Sequence, residues 1–537
     1  MKEKVIVNNK TKYDAVIVGA GFAGMYMLFK LRKMGLSVLV FEAGADLGGT
    51  WYWNRYPGAR CDVESMQYSY QFDEELQQEW EWSERYATQP EILKYIDHVA
   101  KKFNLRSDIR FNTKVTKAFF DEKFNHWRLE TDDGEKLIAQ YCIMATGCLS
   151  SVNKPDIKGK ESFSGSIYYT GEWPHKGVDL GNKRVGIIGT GSSAIQSIPV
   201  IAKTVDELTV FQRTANYAVP AHNKSLNPDQ VRKIKDNYAE FRAKAKLTPT
   251  GNLFEIGKAS VTLDSDEERE KSYEERWQAG GLPFLSAYAD VMFNAESNRV
   301  AADFVRNKIR EIVNDRVVAD LLSPKNIIGC KRLCVDTGYY EAFNKDNVKL
   351  IDISKSGIDE ICGPGIRIGK KVYELDVIIF ATGFDAMTGA LLNIDIRGKK
   401  DLPLKEKWSE GPRSYLGVAL AGFPNLFMIT GPGSPSVISN MLPAIEQHVD
   451  WITECISYMR NKGFAVIDAQ NEAEEEWISH VRDVADMSLR STCNSWYVGA
   501  NIPGKPRIYM PYIGGVPVYA KKCKDVASAG YEGFALT

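Results

Sequence analysis

Two copies of one glycine pattern constrain the fold of this chain more than any other feature. The first copy, GAGFAG at residues 19–24, follows the apolar run DAVIV. The second copy, GTGSSA at residues 189–194, follows the run KRVGII. An apolar strand, a tight glycine turn and a helix in this order form the phosphate-binding unit of Rossmann-type domains, because the free N–H groups and the positive dipole end of the helix face the phosphates. We therefore predict an α/β chain with two dinucleotide-binding units.

The first turn has the features of an FAD-binding unit. Gly19 allows the tight turn, Gly21 lets the backbone approach a pyrophosphate, and Gly24 permits close packing of the helix on the strand. The next strand pattern ends at Glu42. A carboxylate at this place can accept hydrogen bonds from both hydroxyls of a ribose. We predict that this unit binds FAD.

The second turn differs from the first at the end of its second strand. The position equivalent to Glu42 is Gln212, and Arg213 and Thr214 follow it. A carboxylate would repel a ribose 2′-phosphate, whereas an arginine can bind it through two parallel hydrogen bonds. We predict that this unit binds NADPH. The alternative for Arg213 is a solvated charge at the end of a strand.

The sequence Ala-Thr-Gly follows a buried-strand pattern twice, in CIMATG at residues 142–147 and in VIIFATGFD at residues 377–385. Such turns occur where a chain passes from one dinucleotide domain to the other. Between them lies a charged stretch with apolar residues at helical spacing. We predict two Rossmann-like domains, with the NADPH domain inserted into the FAD domain and a helical insertion. The predicted boundaries are 1–150 and 381–537 (FAD domain), 151–216 and 326–380 (NADPH domain) and 217–325 (helical subdomain).

Composition excludes several classes of function. The formal net charge is −1 and the pI is about 6.6, so we expect no nucleic-acid or membrane partner. The first dozen residues are polar and charged, which indicates no secretory or membrane segment there, and we expect a cytoplasmic protein. The nine cysteines are scattered without a CxxC pair and should be reduced, and the six histidines suggest no metal site. An organic cofactor must then carry any redox chemistry.

Further motifs resemble those of one enzyme family, the type I Baeyer–Villiger monooxygenases. They are GGTWYWNRYPGARCDVES at 48–65, FSGSIYYTGEWP at 163–174, GCKRLCVDTGYYE at 329–341, GPGSPSVISNM at 431–441 and CNSWYVGANIPGKPR at 493–507. The segment at 163–174 is similar to the family signature F-x-G-x-x-x-H-T-x-x-W-P. Tyr169 stands where the signature has histidine, and tyrosine cannot carry a positive charge near neutral pH. In the family this position lies in the segment that joins the two nucleotide domains, so we expect the departure to affect domain motion and coupling to NADPH. The order of motifs looks closest to the phenylacetone monooxygenase branch, which suggests a monomer.

The resemblance implies a reaction. In the family, NADPH reduces FAD, O2 adds to the flavin C4a, and the resulting peroxide anion attacks a ketone to give an ester or lactone. The resemblance assigns Arg332 to stabilising that anion and the following adduct, and Asp62 to pairing with Arg332. Lys331 would contact the 2′-phosphate together with Arg213 and Thr214.

The resemblance also implies the positions that line each ligand. Trp496 would close over NADP, and Met441 would lie beside the flavin edge and the substrate. The other positions expected at FAD are Phe22, Ala23, Thr50, Trp51, Tyr68 and Val115. Those expected at NADP, besides Arg332, are Gly189, Thr190, Gly191, Ser192, Ser193 and Gln196. The ketone pocket would also include Leu149, Val437 and Ile438.

Three other functions share part of this pattern. A flavin monooxygenase that oxygenates nitrogen or sulfur has both turns and a related signature, but its protonated hydroperoxide would not need Arg332. A pyridine nucleotide–disulfide reductase needs a CxxC-like redox pair beside the flavin. A nucleotide-binding or redox-sensing protein would not convert a ketone.

Overall fold

The computed structural model describes residues 11–537. The expectation that the first dozen residues form no secretory or membrane segment concerns residues that lie almost entirely outside this range. Within the range, no helix is long and apolar enough to cross a membrane.

The described residues form twenty strands and sixteen α-helices. The strands are β1 Lys12–Val18, β2 Val38–Phe41, β3 Ile109–Arg110, β4 Val115–Asp121, β5 His126–Thr131, β6 Lys136–Met144, β7 Ser166–Tyr169, β8 Arg184–Ile188, β9 Glu207–Gln212, β10 Ala218–Pro220, β11 Cys334–Asp336, β12 Val348–Asp352, β13 Glu360–Cys362, β14 Gly365–Ile368, β15 Lys371–Glu374, β16 Val377–Phe380, β17 Asp395–Arg397, β18 Leu426–Met428, β19 Ile467–Ala469 and β20 Phe534–Leu536. The helices are α1 Phe22–Lys33, α2 Thr50–Trp53, α3 Glu74–Glu79, α4 Gln89–Lys102, α5 Ser192–Ile201, α6 Pro228–Asp236, α7 Tyr238–Lys246, α8 Asp266–Ala279, α9 Ala295–Ile312, α10 Arg316–Leu322, α11 Tyr339–Ala342, α12 Gly389–Leu392, α13 Leu404–Lys407, α14 Met441–Lys462, α15 Asn471–Asp486 and α16 Val516–Ser528.

The first sheet has eight strands, of which six come from residues 12–144 and two from residues 395–428. Its order is β17-β4-β5-β6-β1-β2-β3, and β18 pairs with the C-terminal half of β6. Strands β6, β1 and β2 run parallel, whereas β4, β5 and β6 form an antiparallel meander. All of β2 and the last four residues of β1 are buried, which explains why their sequences are continuously apolar rather than alternating.

The second sheet has five parallel strands in the order β12-β9-β8-β16-β7. All of its strands lie in sequence between β6 and β17 of the first sheet. One Rossmann-like domain is therefore inserted into the other, which confirms the predicted fold class. The residue boundaries assigned to the two domains stay predictions.

A largely helical region follows β10 and ends before β11. Four of its five helices begin at a side chain that accepts hydrogen bonds from the first turn, which satisfies N–H groups that have no partner within the helix. These caps are Asn227 for α6, Ser265 for α8, Asn294 for α9 and Asp315 for α10. The buried side of α9 shares one apolar cluster with the strands of the second sheet. The region thus packs on the inserted domain.

The two glycine turns have the same backbone geometry. Gly19 has φ +107° and Gly189 has φ +111°, a region that favours glycine. A Cβ on Gly19 would lie 2.5 Å from the carbonyl oxygen of Ala145, and one on Gly189 would lie 2.6 Å from that of Ala381. Ala145 and Ala381 begin the two Ala-Thr-Gly turns. Each glycine turn therefore packs directly against the Ala-Thr-Gly turn that follows a neighbouring strand of the same sheet.

Gly24 fixes the distance between α1 and the turn before it. A Cβ at this position would lie 1.8 Å from the carbonyl oxygen of Gly19. We expect Gly24→Ala to lower the free energy of unfolding by about 3 kcal/mol or more, because backbone on both sides must move. Urea unfolding and the FAD content of the purified protein measure the effect. Gly191→Ala is the matched control, since a Cβ there has nothing within 4 Å. Equal stability losses in the two variants would contradict this steric account.

Helix α14 buries a carboxylate against the first domain. Glu446 is 5% exposed, and its Oε1 accepts a hydrogen bond from the N–H of Gln71 at 2.6 Å. Burial raises the pKa of Glu446 to about 7, although the Gln71 bond and the charges of Lys246 and Arg242 lower it, and Asp450 adds a smaller repulsion. Between about pH 4.5 and pH 7, the folded protein therefore holds a proton on Glu446 that the unfolded chain has released.

This raised pKa has a defined effect on stability. Because the folded state binds the proton more tightly, the contribution of Glu446 is fully present below about pH 4.5 and is lost as pH rises to about 7. We expect Glu446→Gln to be more stable than the parent at pH 8, by about 1–3 kcal/mol, and to differ little at pH 4. Unfolding free energies across this range test it. Glu454→Gln, at an exposed position of the same helix, is the control and should show no such difference.

Candidate functional site

One large cavity of about 1700 Å³ lies between the two glycine turns. Single small-molecule pockets usually measure about 300–1000 Å³, so this cavity has room for more than one ligand. Its walls come from both sheets and from the segments that connect them. Most of the residues predicted for the two dinucleotides and the ketone line this cavity. Gly24 and Ile438 do not: Gly24 packs behind the first turn, and Ile438 joins the apolar cluster around Cys148.

The first glycine turn opens into one end of the cavity. The lining residues from the predicted FAD set are Gly19, Gly21, Phe22, Ala23, Glu42, Thr50, Trp51, Asp62, Tyr68, Val115 and Met441. Short helix α2 carries Thr50 and Trp51, and the indole N–H of Trp51 donates to the Tyr68 hydroxyl at 3.1 Å. The Cα of Gly49 lies 3.3 Å from where a Cβ on Gly21 would be. This close approach leaves a glycine-lined cradle that a pyrophosphate can fill.

Glu42 is held at the end of β2 with its carboxylate at the cavity wall. Its two oxygens accept hydrogen bonds from the N–H groups of Ala20, at 2.8 Å, and Gly44, at 2.7 Å. Burial raises its pKa, and the two hydrogen bonds oppose this rise. Each carboxylate oxygen has a second lone pair, so Glu42 can still accept hydrogen bonds from ribose hydroxyls.

The second glycine turn opens into the other end. Gly189, Thr190, Gly191, Ser192, Ser193, Gln196, Arg213, Thr214, Lys331, Arg332 and Trp496 all line the cavity there or beside it. The hydroxyl of Thr190 donates to the carbonyl oxygen of Thr214 at 2.8 Å, which ties the turn to the end of β9. A Cβ on Gly191 would meet open space, so the backbone at this point is free for a ligand to approach.

Arg213 and Lys331 form a positive region without a carboxylate partner. Neither makes an ion pair with any residue of the described part of the chain. Burial lowers the pKa of Lys331, and the charge of Arg213 lowers it further. Two cations that face one space are favourable only if an anion joins them. Together with Thr214, this region fits a phosphate group.

Gln212 does not take the role that Glu42 has in the first domain. Its side-chain amide donates to the carbonyl oxygen of Leu321 at 2.7 Å, away from the cavity. It therefore holds the end of the helical region against β9. Lys325 and Asn326, four and five residues after Leu321, line the cavity and had no signal in the sequence.

Arg332 lies in the middle of the cavity wall and is held on two sides. Its Nη2 is 2.8 Å from Oδ1 of Asp62, and its Nε also donates to that carboxylate. Its Nη1 donates to the carbonyl oxygen of Val437 at 2.7 Å. Burial lowers the pKa of Arg332, but the charge and hydrogen bonds of Asp62 outweigh this and raise it. A guanidinium has five N–H groups, so one on Nη1 and one on Nη2 remain for a ligand.

A bridge between the domains stands beside Asp62. The Tyr56 hydroxyl donates to Oε1 of Gln196 at 2.8 Å, and the Gln196 amide donates to the carbonyl oxygen of Arg60 at 3.1 Å. Tyr56 and Arg60 belong to the segment NRYPGARCD, and Gln196 belongs to α5 of the inserted domain. Tyr56 and Arg60 also line the cavity, so the bridge forms part of its wall.

The part of the cavity next to Arg332 is apolar. Leu149, Val437, Met441 and Trp496 line it, and they belong to one cluster with Cys148, Tyr497 and Met510. The backbone carbonyl of Val437 already accepts a hydrogen bond from Arg332, and the side chains around it are apolar. This part of the cavity therefore offers few hydrogen bonds to a ligand. An apolar ligand with one polar atom directed at Arg332 fits this end.

Tyr169 is not at the cavity. It ends β7 and stacks on Phe380 of β16, with ring centres 5.0 Å apart and planes 13° apart. The Lys154 ammonium lies 5.3 Å from the centre of its ring, and Lys154 also pairs with Glu172 at 2.6 Å. Burial raises the pKa of Tyr169. The positive charge nearest the Tyr169 ring is therefore that of Lys154, which Glu172 balances.

Comparison with known proteins agrees with this geometry. A family profile described as pyridine nucleotide-disulphide oxidoreductase matches residues 16–302. A Baeyer–Villiger monooxygenase of Pseudooceanicola batsensis is 42% identical over 98% of this chain and 97% of its own. A phenazine N-monooxygenase of Lysobacter antibioticus is 40% identical over 99% and 98%.

Two solved structures extend this likeness to the fold. A steroid monooxygenase bound to NADP is 48% identical, with a TM-score of 0.94 over 98% of this chain and 99% of its own. OTEMO in complex with FAD and NADP is 40% identical, with a TM-score of 0.95 over 98% and 100%. The NADP of the first structure and the FAD and NADP of the second are the cofactors predicted from the two turns.

Proposed function

Because the chain belongs to the Baeyer–Villiger monooxygenase family, whose members use FAD and NADPH, we propose that it inserts one oxygen atom of O2 beside the carbonyl of an apolar ketone. The product would be an ester or a lactone. One observation carries the proposal: Arg332 is fixed at the cavity wall by Asp62 and Val437, with two N–H groups left for a reacting anion. That the protein is a monomer and cytoplasmic stays a prediction.

The residues at the two ends of the cavity would hold the cofactors. Glu42 and the glycine cradle would hold the ribose and pyrophosphate of FAD. Arg213, Thr214 and Lys331 would hold the 2′-phosphate of NADPH. When bound, the flavin reduced by NADPH supplies the oxygen-transferring group that is made from O2.

Arg332 would stabilise the negative charge that develops on the reacting oxygen atoms. A donor directed at such a charge contributes about 3–4 kcal/mol to the transition state. Arginine suits this position because it stays protonated after water is removed, and the Asp62 carboxylate strengthens that tendency. Asp62 also holds the planar guanidinium in one orientation, so no reorganisation is needed during the reaction. The apolar wall of Leu149, Val437 and Met441 would keep water from protonating the anion.

Arg332→Ala tests this role. We expect ester formation from a ketone to fall by about 10²–10³-fold, because the anion and the tetrahedral adduct lose their fixed donor. Reduction of the flavin by NADPH should change little. Ester yield by mass spectrometry and anaerobic flavin bleaching measure the two steps. Arg332→Lys keeps the charge but not the paired N–H geometry and should recover only part of the ester yield. Full ester formation in Arg332→Ala would contradict the assignment.

Arg213→Ala tests cofactor selection. A hydrogen-bonded ion pair is worth about 1.5–3 kcal/mol, so the KM for NADPH should rise by about tenfold or more, while the KM for NADH should stay the same. Steady-state NADPH and NADH oxidation provide both values. Arg367→Ala is the matched control, because Arg367 pairs with Glu360 on an outer hairpin of the same domain. A similar rise for NADH would show that Arg213 does not contact the 2′-phosphate.

A second candidate is oxygenation of nitrogen, which the likeness to a phenazine N-monooxygenase favours. In that reaction the oxygen donor is protonated and electrophilic, so an anion-stabilising guanidinium is not required. The Arg332→Ala variant separates the two functions. If nitrogen oxygenation is the main activity, Arg332→Ala should still oxygenate a nitrogen substrate at the rate of the parent, although the variant forms no ester from ketones.

A further inference from the structure

Four cysteines, Cys61, Cys148, Cys330 and Cys493, line the cavity, and none of the roles above uses their thiols. Cys330 directly precedes Lys331 and Arg332, and Cys493 lies three residues before Trp496. Both side chains are buried from bulk solvent, with 3% and 9% exposed, but both lie on the cavity wall. All nine cysteines of the chain are unbridged.

The fold brings these two thiols together. The Cys330 and Cys493 thiols lie close enough for each to shift the pKa of the other, and the Cys493 thiol also lies 3.7 Å from the carbonyl oxygen of Leu489. Neighbouring bonds hold their segments in place: Nε of Arg490 donates to the carbonyl oxygen of Gly329 at 3.1 Å, and the N–H of Leu489 donates to that of Met292 at 2.9 Å. The contact is therefore part of how the segment that carries Trp496 docks on the segment that carries Arg332.

The surroundings make the two thiols chemically different. The hydrogen bond from Cys493 lowers the pKa of Cys330 to about 7, although burial opposes this, and the charges of Lys331 and Arg490 help. The pKa of Cys493 is raised, chiefly because it shares this bond with Cys330. Cys148 also lines the cavity, but burial raises its pKa to about 11. Because the thiolate is the reactive form, Cys330 should react with an oxidant before Cys148 does.

We propose that Cys330 and Cys493 form a peroxide-sensitive dithiol, and that its oxidation ties the Trp496 segment to the Lys331–Arg332 segment by a disulfide. In the first step the Cys330 thiolate attacks hydrogen peroxide, so that an S–O bond forms and the O–O bond breaks. The leaving hydroxide takes a proton and becomes water. Cys330 is then a sulfenic acid.

In the second step Cys493 attacks the oxidised sulfur. The S–S bond forms, the S–O bond breaks, and the leaving hydroxide combines with the proton of Cys493 to give a second water. Overall, two thiols lose two electrons to one peroxide. The added peroxide is the only co-reactant required. The effect on turnover rests on the function proposed above, whereas formation of the disulfide does not.

The test uses the FAD-loaded enzyme without a nicotinamide cofactor. It is treated with a small excess of hydrogen peroxide, alkylated and mapped by peptide mass spectrometry. We expect a peptide that joins Cys330 to Cys493, released by dithiothreitol, while Cys148 is recovered alkylated. Absence of this cross-link, or equal oxidation of Cys148, would overturn the proposal whether or not the enzyme converts ketones.

Two variants sharpen the result. In Cys493→Ser the resolving thiol is missing, so a sulfenic acid on Cys330 should persist and be trapped by a 1,3-diketone. Cys362→Ser alters a cysteine outside the cavity and should form the Cys330–Cys493 cross-link as the parent does. In the parent, the rate of NADPH oxidation should fall by about tenfold after peroxide and return with dithiothreitol. No trapped sulfenic acid in Cys493→Ser, or an unchanged rate in the cross-linked parent, would contradict the proposed device.

Discussion

The arrangement of the site depends on one partly buried ion pair between segments that are far apart in sequence. Asp62 follows the first glycine turn and its short helix, whereas Arg332 follows the helical region. Their side chains are 21% and 22% exposed, and that exposure is to the cavity they line. A charge in such a place is costly without its partner, by about 3–5 kcal/mol. The pair therefore joins the segment of Asp62 to the segment of Arg332, and the bond from Arg332 to Val437 adds a third segment.

The charges along the cavity divide it into parts with different chemistry. Glu42 stands at one end as an acceptor, and Arg213 with Lys331 stands at the other as a positive region. Arg332 lies between them with its charge balanced by Asp62 but with N–H groups still available. The wall beside it is apolar. In the proposed function, this order separates a place for a ribose, a place for a phosphate and a place for an anion away from water.

Much of this could be predicted from local sequence because the chemistry of a Rossmann turn is local. Glycine is needed where Gly19 and Gly189 adopt positive φ, and the contrast between Glu42 and the pair Gln212–Arg213 lies at the end of each second strand. The role of Gln212 was different, because its amide reaches Leu321, more than one hundred residues away. Ile438 and Val437 are neighbours in the sequence, yet only Val437 lies on the cavity wall. Which of two adjacent side chains faces a cavity depends on packing that no periodicity describes.

The sequence by itself determined the two dinucleotide units, the preference for a 2′-phosphate at the second and the insertion of one domain into the other. These follow from residues close together in the chain, where the backbone geometry and charge of a few positions decide the outcome. Only the tertiary structure decided that the Val437 carbonyl joins the Asp62–Arg332 pair, that Lys154 lies beside the Tyr169 ring, and that Cys330 lies beside Cys493. The reason is physical: each of these contacts joins separate segments, and it exists only after the sheets and helices have packed and excluded water from between them.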